Sequence, residues 1–221
     1  MKNSINILST KKLSEGHKQL LEEARFDLIE ADFIKTEHAD FEMKDINDNL
    51  IFTSQNAVYS VLEHKDVEQL KTKKVFCVGL KTKALLTENG FEVMAYVGYA
   101  SDLAEIITLI YSKESYTFFS GNLRRDVLPG ALKAAGIKFN EIKVYDTTLT
   151  PQKIAKAVDG ILFFSPSAVE SYLKENKIKK ELCFCIGETT AEALSGVTKN
   201  IIQAEHPTIE DTIMDCIAEF Q

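Results

Sequence analysis

Leu50-Ile-Phe-Thr-Ser-Gln-Asn-Ala-Val-Tyr-Ser-Val-Leu62 decides the fold because it occurs twice. Ile161-Leu-Phe-Phe-Ser-Pro-Ser-Ala-Val-Glu-Ser-Tyr-Leu173 repeats its pattern, with Ser54 and Ser165, Ala57 and Ala168, Val58 and Val169, and Leu62 and Leu173 all 111 residues apart. In both copies a near-continuous apolar run ends in a hydroxyl-bearing turn. Runs of that kind read as strands buried on both faces, as in a parallel sheet covered by helices. Ser165-Pro166 then supplies a helix start, with Ser at the capping position and Pro at the first helical one. Ala168, Val169, Tyr172 and Leu173 form the face to be buried.

Outward from this stretch the repeat continues. Phe76-Cys-Val-Gly79 matches Phe184-Cys-Ile-Gly187, and Thr82 matches Thr190, at an offset of 108. Ile106, Ile107 and Ile110 match Ile213, Met214 and Ile217 at 107, and Ile7-Leu8-Ser9 recurs as Phe118-Phe119-Ser120 at 111. Several matches in one order make duplication the better reading than chance, giving two copies of roughly 110 residues, the size of a small domain. Further strands are expected at Ile5–Leu8, Val75–Val78, Thr117–Phe119, Gly160–Phe164 and Leu182–Ile186, and Leu103, Ile106, Ile107 and Ile110 form one helical stripe. The fold class is therefore α/β, with two doubly wound parallel-sheet domains from a duplicated half.

Composition narrows the function. The 221 residues carry 26 Lys and Arg against 33 Asp and Glu, a net charge of −7, with 45% hydrophobic and 27% charged residues. No apolar run nears the ~20 residues that span a bilayer, and the apolar stretch near the start is too short for a signal-peptide core, so no membrane association is expected. An acidic chain without a long basic run is a poor nucleic-acid binder. Four Cys without an export signal are no disulfide framework. With 4 Pro and 10 Gly there is no low-complexity linker, so any domain junction must be structured. The expectation is a soluble, cytoplasmic protein, monomeric because no obvious exposed apolar stripe calls for a partner.

Metal and cofactor chemistry find little footing. His17, His38, His64 and His206 are scattered, none beside carboxylates at a ligand spacing. Cys183 and Cys185 share one face of a strand, but Cys77 holds the duplicated position of Cys185 within a similar apolar run, so burial is the simpler reading. There is no nucleophile elbow, Walker A loop or full dinucleotide fingerprint; Gly79 and Gly187 stand alone and fit tight turns. What recurs is hydroxyls at strand-to-helix turns: Thr53-Ser54, Thr82, Ser101, Ser165 and Ser167, Thr189-Thr190, and Thr208. Singly these are helix caps. Together they line the carboxyl ends of strands, where open α/β sheets bind ligands and helix N-termini favour carboxylates or phosphates. Two such domains facing each other would make an anion-friendly cleft. The compact basic pair Arg124-Arg125, after Ser120-Gly121-Asn122, either joins that cleft or is a solvated surface pair. On these grounds an enzyme and a non-catalytic, anion-binding or regulatory two-domain module stand level.

Six segments then carry a resemblance: Ile51-Phe-Thr-Ser-Gln-Asn-Ala-Val58, Val78-Gly-Leu-Lys-Thr82, Ser120-Gly-Asn-Leu-Arg-Arg-Asp-Val-Leu-Pro129, Val144-Tyr-Asp-Thr147, Phe164-Ser-Pro-Ser-Ala168 and Ile186-Gly-Glu-Thr-Thr-Ala191. In their order and spacing, from Ile5 to about Ile217, they resemble the uroporphyrinogen-III synthases. The resemblance implies two α/β domains joined by a two-stranded connector, with connector strands near 29–36 and 140–147. One domain would hold residues 1–35 and 150–221, the other 36–149. It implies a cofactor-independent, cyclising hydro-lyase that converts linear hydroxymethylbilane to uroporphyrinogen III, with loss of water and inversion of the terminal pyrrole ring. Tyr145, in the Val-Tyr-x-Thr stretch, would assist the departing hydroxyl, the alternative being simple packing in the connector. Thr53, Ser54, Thr82, Ser165, Ser167, Thr189 and Thr190, with Ser120, Gly121, Asn122 and Arg124, would bind the polycarboxylate substrate. Lys81 and Lys83, which flank Thr82, depart from the small residues common there, and His206 in His206-Pro207-Thr208 reads as a surface residue.

Overall fold

The computed structural model describes residues 4–221. The chain opens with β1 (Ile5–Ser9), α1 (Glu15–Glu23), β2 (Phe26–Glu30) and β3 (Ile34–His38). It continues through β4 (Asn49–Phe52), α2 (Gln55–Leu62), a 3-10 turn at Val67–Leu70, β5 (Lys74–Val78), α3 (Leu80–Glu88), β6 (Glu92–Val97) and α4 (Ala100–Ile110). β7 (Ser115–Gly121), α5 (Val127–Ala134) and β8 (Lys138–Leu149) follow. The last stretch holds β9 (Gly160–Phe163), α6 (Pro166–Glu175), β10 (Leu182–Cys185), α7 (Glu188–Glu192), β11 (Ile201–Gln203) and α8 (Ile209–Phe220).

These elements form two compact units. The first takes the chain up to Lys35 together with Thr148–Gln221, the second Thr36–Thr147. Both passages between units fall inside strands, β3 and β8, which are hydrogen-bonded neighbours in the second unit's sheet.

The first sheet runs β11-β10-β9-β1-β2, and every pairing in it is parallel. Numbered by chain order within the unit this is 2-1-3-4-5, the flavodoxin-like doubly wound order. The second sheet runs β3-β8-β7-β4-β5-β6. With the edge strand β3 set aside, β8-β7-β4-β5-β6 has the same layout, entered at a different strand. The second unit is thus a circular permutant of the first: β1 and β2 complete a sheet with β9 to β11, while their repeat counterparts β7 and β8 complete one with β4 to β6.

The apolar runs are buried on both faces because each sheet is covered twice. In β4, Leu50 and Phe52 join Ala57, Val58 and Val61 of α2 on one face, while Ile51 joins Leu103, Ala104 and Ile107 of α4 and Leu128 and Leu132 of α5 on the other. In β9, Ile161 and Phe163 meet Ala168, Val169 and Tyr172 of α6, and Leu162 meets Leu21 of α1 and Ile213 and Cys216 of α8. The two-residue alternation of a strand produces this partition, and each such large side chain contributes about 1.5–3 kcal/mol on burial.

The α4 stripe is shorter than its spacing suggests. Leu103 and Ile107 are buried, but Ile110 is 69% exposed. The helix ends there, and Tyr111 packs against the cluster instead, its carbonyl accepting the Tyr116 hydroxyl at 2.9 Å. In α8, likewise, Met214 is exposed and Cys216 takes the buried position. No helix among the described residues is long and apolar enough to cross a membrane.

Candidate active site

A crevice opens in a doubly wound sheet where adjacent strands send their helices to opposite faces. In the second unit this happens between β7, followed by α5, and β4, followed by α2. In the first it happens between β1, followed by α1, and β9, followed by α6. Thr53, Ser54, Thr82, Ser120, Gly121, Asn122, Arg124 and Tyr145 lie at or just past the carboxyl ends of β4, β5 and β7 or beside them on β8, on one rim of the second sheet. Ser165, Ser167, Thr189 and Thr190 follow β9 and β10, which are neighbours in the first sheet.

The hydroxyls act first as caps. Ser54 leaves its extended backbone to accept from Asn56 N at 3.1 Å, and Ser165 accepts from Ala168 N at 3.1 Å with Ser167 Oγ 3.0 Å away. Thr208 caps α8, accepting from Asp211 N at 3.0 Å, whereas Ser101 sits inside α4 and donates to Asp102 at 3.1 Å. α3 and α7 differ: they begin at Gly79 and Gly187 with no side-chain cap, and Thr82 and Thr190 lie buried in their first turns. Gly79 is at φ +90, a conformation that favours glycine. α3 thus opens with no side-chain acceptor of its own for its first N–H groups, while in α7 Thr190 N and Ala191 N both turn back to Gly187 O, at 3.0 and 3.1 Å.

The turn after β7 is already satisfied internally. Arg124 donates to Glu141 through Nε at 2.6 Å and through Nη2 at 2.9 Å, and to Asp126 at 3.0 Å. Ser120 donates to the same Glu141 carboxylate at 2.6 Å. Burial pushes the Glu141 carboxyl up, but the bonds from Arg124 and Ser120 more than offset it and hold it below the usual carboxylate range. Arg124 thus serves Glu141 first. Asn122 is equally occupied: its side chain accepts from Thr147 N at 2.7 Å and donates to Thr147 O at 3.1 Å, bridging the strand ends.

Tyr145 is set by a register shift in the parallel β7–β8 pair. Ser120 lies opposite Lys143, yet Gly121 lies opposite Tyr145, so Val144 is an extra residue in β8. A bulge of this kind re-aims the side chain that follows it. Val144 is buried in the cluster under α2, and Tyr145 packs beside it with its ring against the Cα of Gly121. The Tyr145 hydroxyl has no hydrogen-bond partner among the described residues, which leaves a half-buried phenol available to a ligand.

Sequence reasoning overlooked two parts of this arrangement. Glu141 carried no motif, since its meaning comes only from Arg124 and Ser120 across the sheet. The turn after β1, at the first unit's switch point, was also missed, although the match of Ile7-Leu8-Ser9 to Phe118-Phe119-Ser120 extends one residue further to set Thr10 against Gly121. There Thr10 Oγ1 donates to Leu162 O at 2.7 Å, while Glu30 and Asp32 accept from Leu13 N at 2.6 Å and Lys12 N at 2.9 Å. The turns after the repeat counterparts β1 and β7 are thus filled by the protein's own carboxylates, the starts of α2 and α6 are capped by Ser54 and Ser165, and α3 after β5 begins without a side-chain cap.

All four cysteines are buried and free; desolvation pushes Cys77 up to about 11 and Cys183 and Cys185 up to about 12, the behaviour of packed apolar groups. No group of three or more His, Cys, Asp and Glu among the described residues could hold a metal ion. His206 is exposed, 3.1 Å from Asp211.

Fold and rim together define a class of α/β protein with two permuted doubly wound sheets, hydroxyl-lined carboxyl ends and a phenol beside one switch point. The family model described as uroporphyrinogen-III synthase HemD matches residues 16–214, and the chain belongs to that family. It is 26% identical over 192 residues to the porphyrin biosynthesis protein HemD of Ruminiclostridium josui, which covers 77% of this chain and 37% of that one. The chain thus spans little more than a third of that relative's length. Among solved structures it is similar to the uroporphyrinogen-III synthetase of Helicobacter pylori 26695, at a TM-score of 0.73 and 19% identity over 98% of this chain and 100% of that one. A mutant uroporphyrinogen III synthase of Thermus thermophilus matches at 0.72 and 17% identity, over 98% of each chain.

Proposed function

We propose that the chain catalyses the cyclisation of hydroxymethylbilane to uroporphyrinogen III, with loss of water and inversion of the last pyrrole ring. The observation that carries this is the unpartnered Tyr145 phenol, on the same rim as the uncapped start of α3 and the hydroxyl-capped start of α2. The substrate brings eight carboxylates, for which hydroxyl-lined helix N-termini with their positive dipole ends are suited binding sites. Thr53, Ser54 and Thr82 of the second unit and Ser165, Ser167, Thr189 and Thr190 of the first are assigned to binding them, through backbone N–H groups as much as through hydroxyls.

Catalysis in this reading is chiefly positioning. Spontaneous closure joins the free end of the last ring and leaves that ring uninverted. The bound chain must instead present the substituted carbon of that ring to the hydroxymethyl carbon. The C–O bond to the hydroxyl breaks, the hydroxyl leaves as water after taking a proton, and the new C–C bond gives a spiro intermediate. That intermediate opens and recloses with the ring turned over, releasing a proton to restore the pyrrole. Tyr145 supplies the hydrogen bond or proton to the departing hydroxyl. Ser120, Asn122 and Arg124 contribute by fixing the turn that faces Tyr145, so the assignment of Arg124 to substrate binding applies only if Glu141 releases it.

In the same proposal the two compact units are the protein's two domains, β3 and β8 are the connector between them, and the enzyme works as a cytoplasmic monomer without nucleic acid. The test supplies freshly made hydroxymethylbilane, oxidises the products and separates isomers I and III. Isomer III as the main product is the expected result. Isomer I alone, at the rate seen without protein, sinks the proposal and leaves an anion-binding or regulatory module.

A further inference from the structure

We infer that Gly121 is a positioning residue for Tyr145: its bare Cα is the seat of the phenol ring and fixes where the hydroxyl lies. A Cβ built on Gly121 would overlap Cε2 and Cζ of Tyr145 and stand 2.8 Å from the hydroxyl oxygen. The collision falls on the hydroxyl end of the ring, the end on which any proton transfer depends.

Backbone conformation does not explain the glycine. The glycines with positive φ are Gly79, Gly90, Gly136 and Gly196, and Gly121 is not among them. Nor does the end of the strand demand one. The repeat counterpart Thr10 carries a full side chain, buried and bonded to Leu162 O at 2.7 Å. What differs is the neighbour, because the β8 bulge brings an aromatic ring over the strand end only in the second unit. The backbone around the pair is also pinned. Asn122 N donates to Tyr145 O at 3.3 Å, and the Asn122 side chain holds Thr147 through both its oxygen and its nitrogen. With the main chain held on both sides, an added methyl is relieved by swinging the ring away, and the hydroxyl moves with it. The kinetic part of this inference rests on the proposed cyclisation; the packing part does not.

The experiment therefore has readouts of both kinds. Gly121→Ala, Tyr145→Ala and the double variant are compared by thermal unfolding, as a double-mutant cycle. In parallel, the Tyr145 resonance is followed by NMR with tyrosine isotope-labelled at Cζ, assigned through its loss in Tyr145→Phe. Gly121→Ala is expected to shift the Tyr145 signal while the other tyrosines keep theirs. It should lower the unfolding midpoint by about 4 °C or more in the native background, and by about 1 °C or less when Tyr145 is Ala. Turnover to isomer III should fall about tenfold or more, with KM changed less than about threefold. An unmoved Tyr145 signal, or the same midpoint loss in both backgrounds, overturns the inference. If Gly121→Ala does not fold, recovery of a cooperative transition in the double variant supports the seat, and failure of the double variant to fold as well refutes it. A shifted signal with a coupled cycle, in a protein that makes no isomer III, defeats the proposed function and leaves the seat standing. Isomer III formed at the native turnover by Gly121→Ala defeats the positioning role alone.

Discussion

Tyr145 combines a ring held on two sides with an oxygen that no described residue bonds. Tyr145→Phe keeps the ring on Gly121 and beside Val144, so the fold should be undisturbed, while turnover should drop at least about tenfold with the loss of the proton donor. Near-native turnover in the isomer assay would remove Tyr145 from the chemistry. Glu141 makes a second residue-scale test. Its folded pKa is depressed by Arg124 and Ser120, so its stabilisation is present above the ordinary carboxylate value of 4.5 and is lost as pH falls through the lower folded value. Glu141→Gln should accordingly be less stable than the native protein at neutral pH, and the gap in denaturant titrations should narrow below that value. A gap independent of pH would mean that the carboxylate charge contributes nothing. Ser54, Ser165 and Thr208 could be read from the sequence because capping is local, whereas Ser101, read the same way, lies inside α4. Arg124 could not be read so, because its partner Glu141 comes from a neighbouring strand and no local spacing announces it.

Caps and strand ends are where the elements acquire their function. Ser165 both starts α6 and belongs to the rim, and Ser165→Ala should cost about 1 kcal/mol of stability. A larger effect on KM than on the unfolding midpoint would mark the hydroxyl as a ligand contact, whereas an effect on the midpoint alone would leave it a cap. The central strands β4, β5, β7, β9 and β10 were legible because burial on both faces demands unbroken apolar runs. The outer strands β2, β6 and β11 were not, since Phe26-Asp-Leu-Ile-Glu30 and Glu92-Val-Met-Ala-Tyr-Val97 mix charge with apolar residues as one-sided edges do. The bulge in β8 has no sequence mark either: it is defined by a register against β7 that the sequence of β8 alone does not contain.

At the scale of the molecule, duplication was readable from three constant offsets, but the exchange between repeats was not. Apolar pattern records which residues are buried and is silent on which sheet they join. The exchange explains why equivalent positions diverged, with Thr10 bonded inward in one unit and Gly121 cleared for an aromatic ring in the other. The net charge of −7 acts at the same scale. It repels a polyanion at long range, so moderate added salt should leave substrate capture unchanged or speed it, as read from kcat/KM across ionic strengths. A steep loss with salt would reveal a cationic capture surface, for which Lys81 and Lys83 beside Thr82 are the nearest charges.

The strand order also dictates a timetable of synthesis. β1 and β2 are made before the other strands of the two sheets, yet Ile7 and Leu8 pair with Gly160 and Ile161, more than a hundred residues downstream. At roughly 5–20 residues per second, β1 waits on the order of ten seconds for β9, with Ile7 and Leu8, fully buried in the finished protein, uncovered on that side. The second unit, whose strands all lie between Thr36 and Thr147 apart from the end of β8 and the start of β3, can close in that interval. A nascent chain arrested after β8 should therefore resist protease across the second unit and remain open to cleavage before it. Of the strands in the first sheet, β1 waits longest for its partner, and it is where a chaperone would be needed.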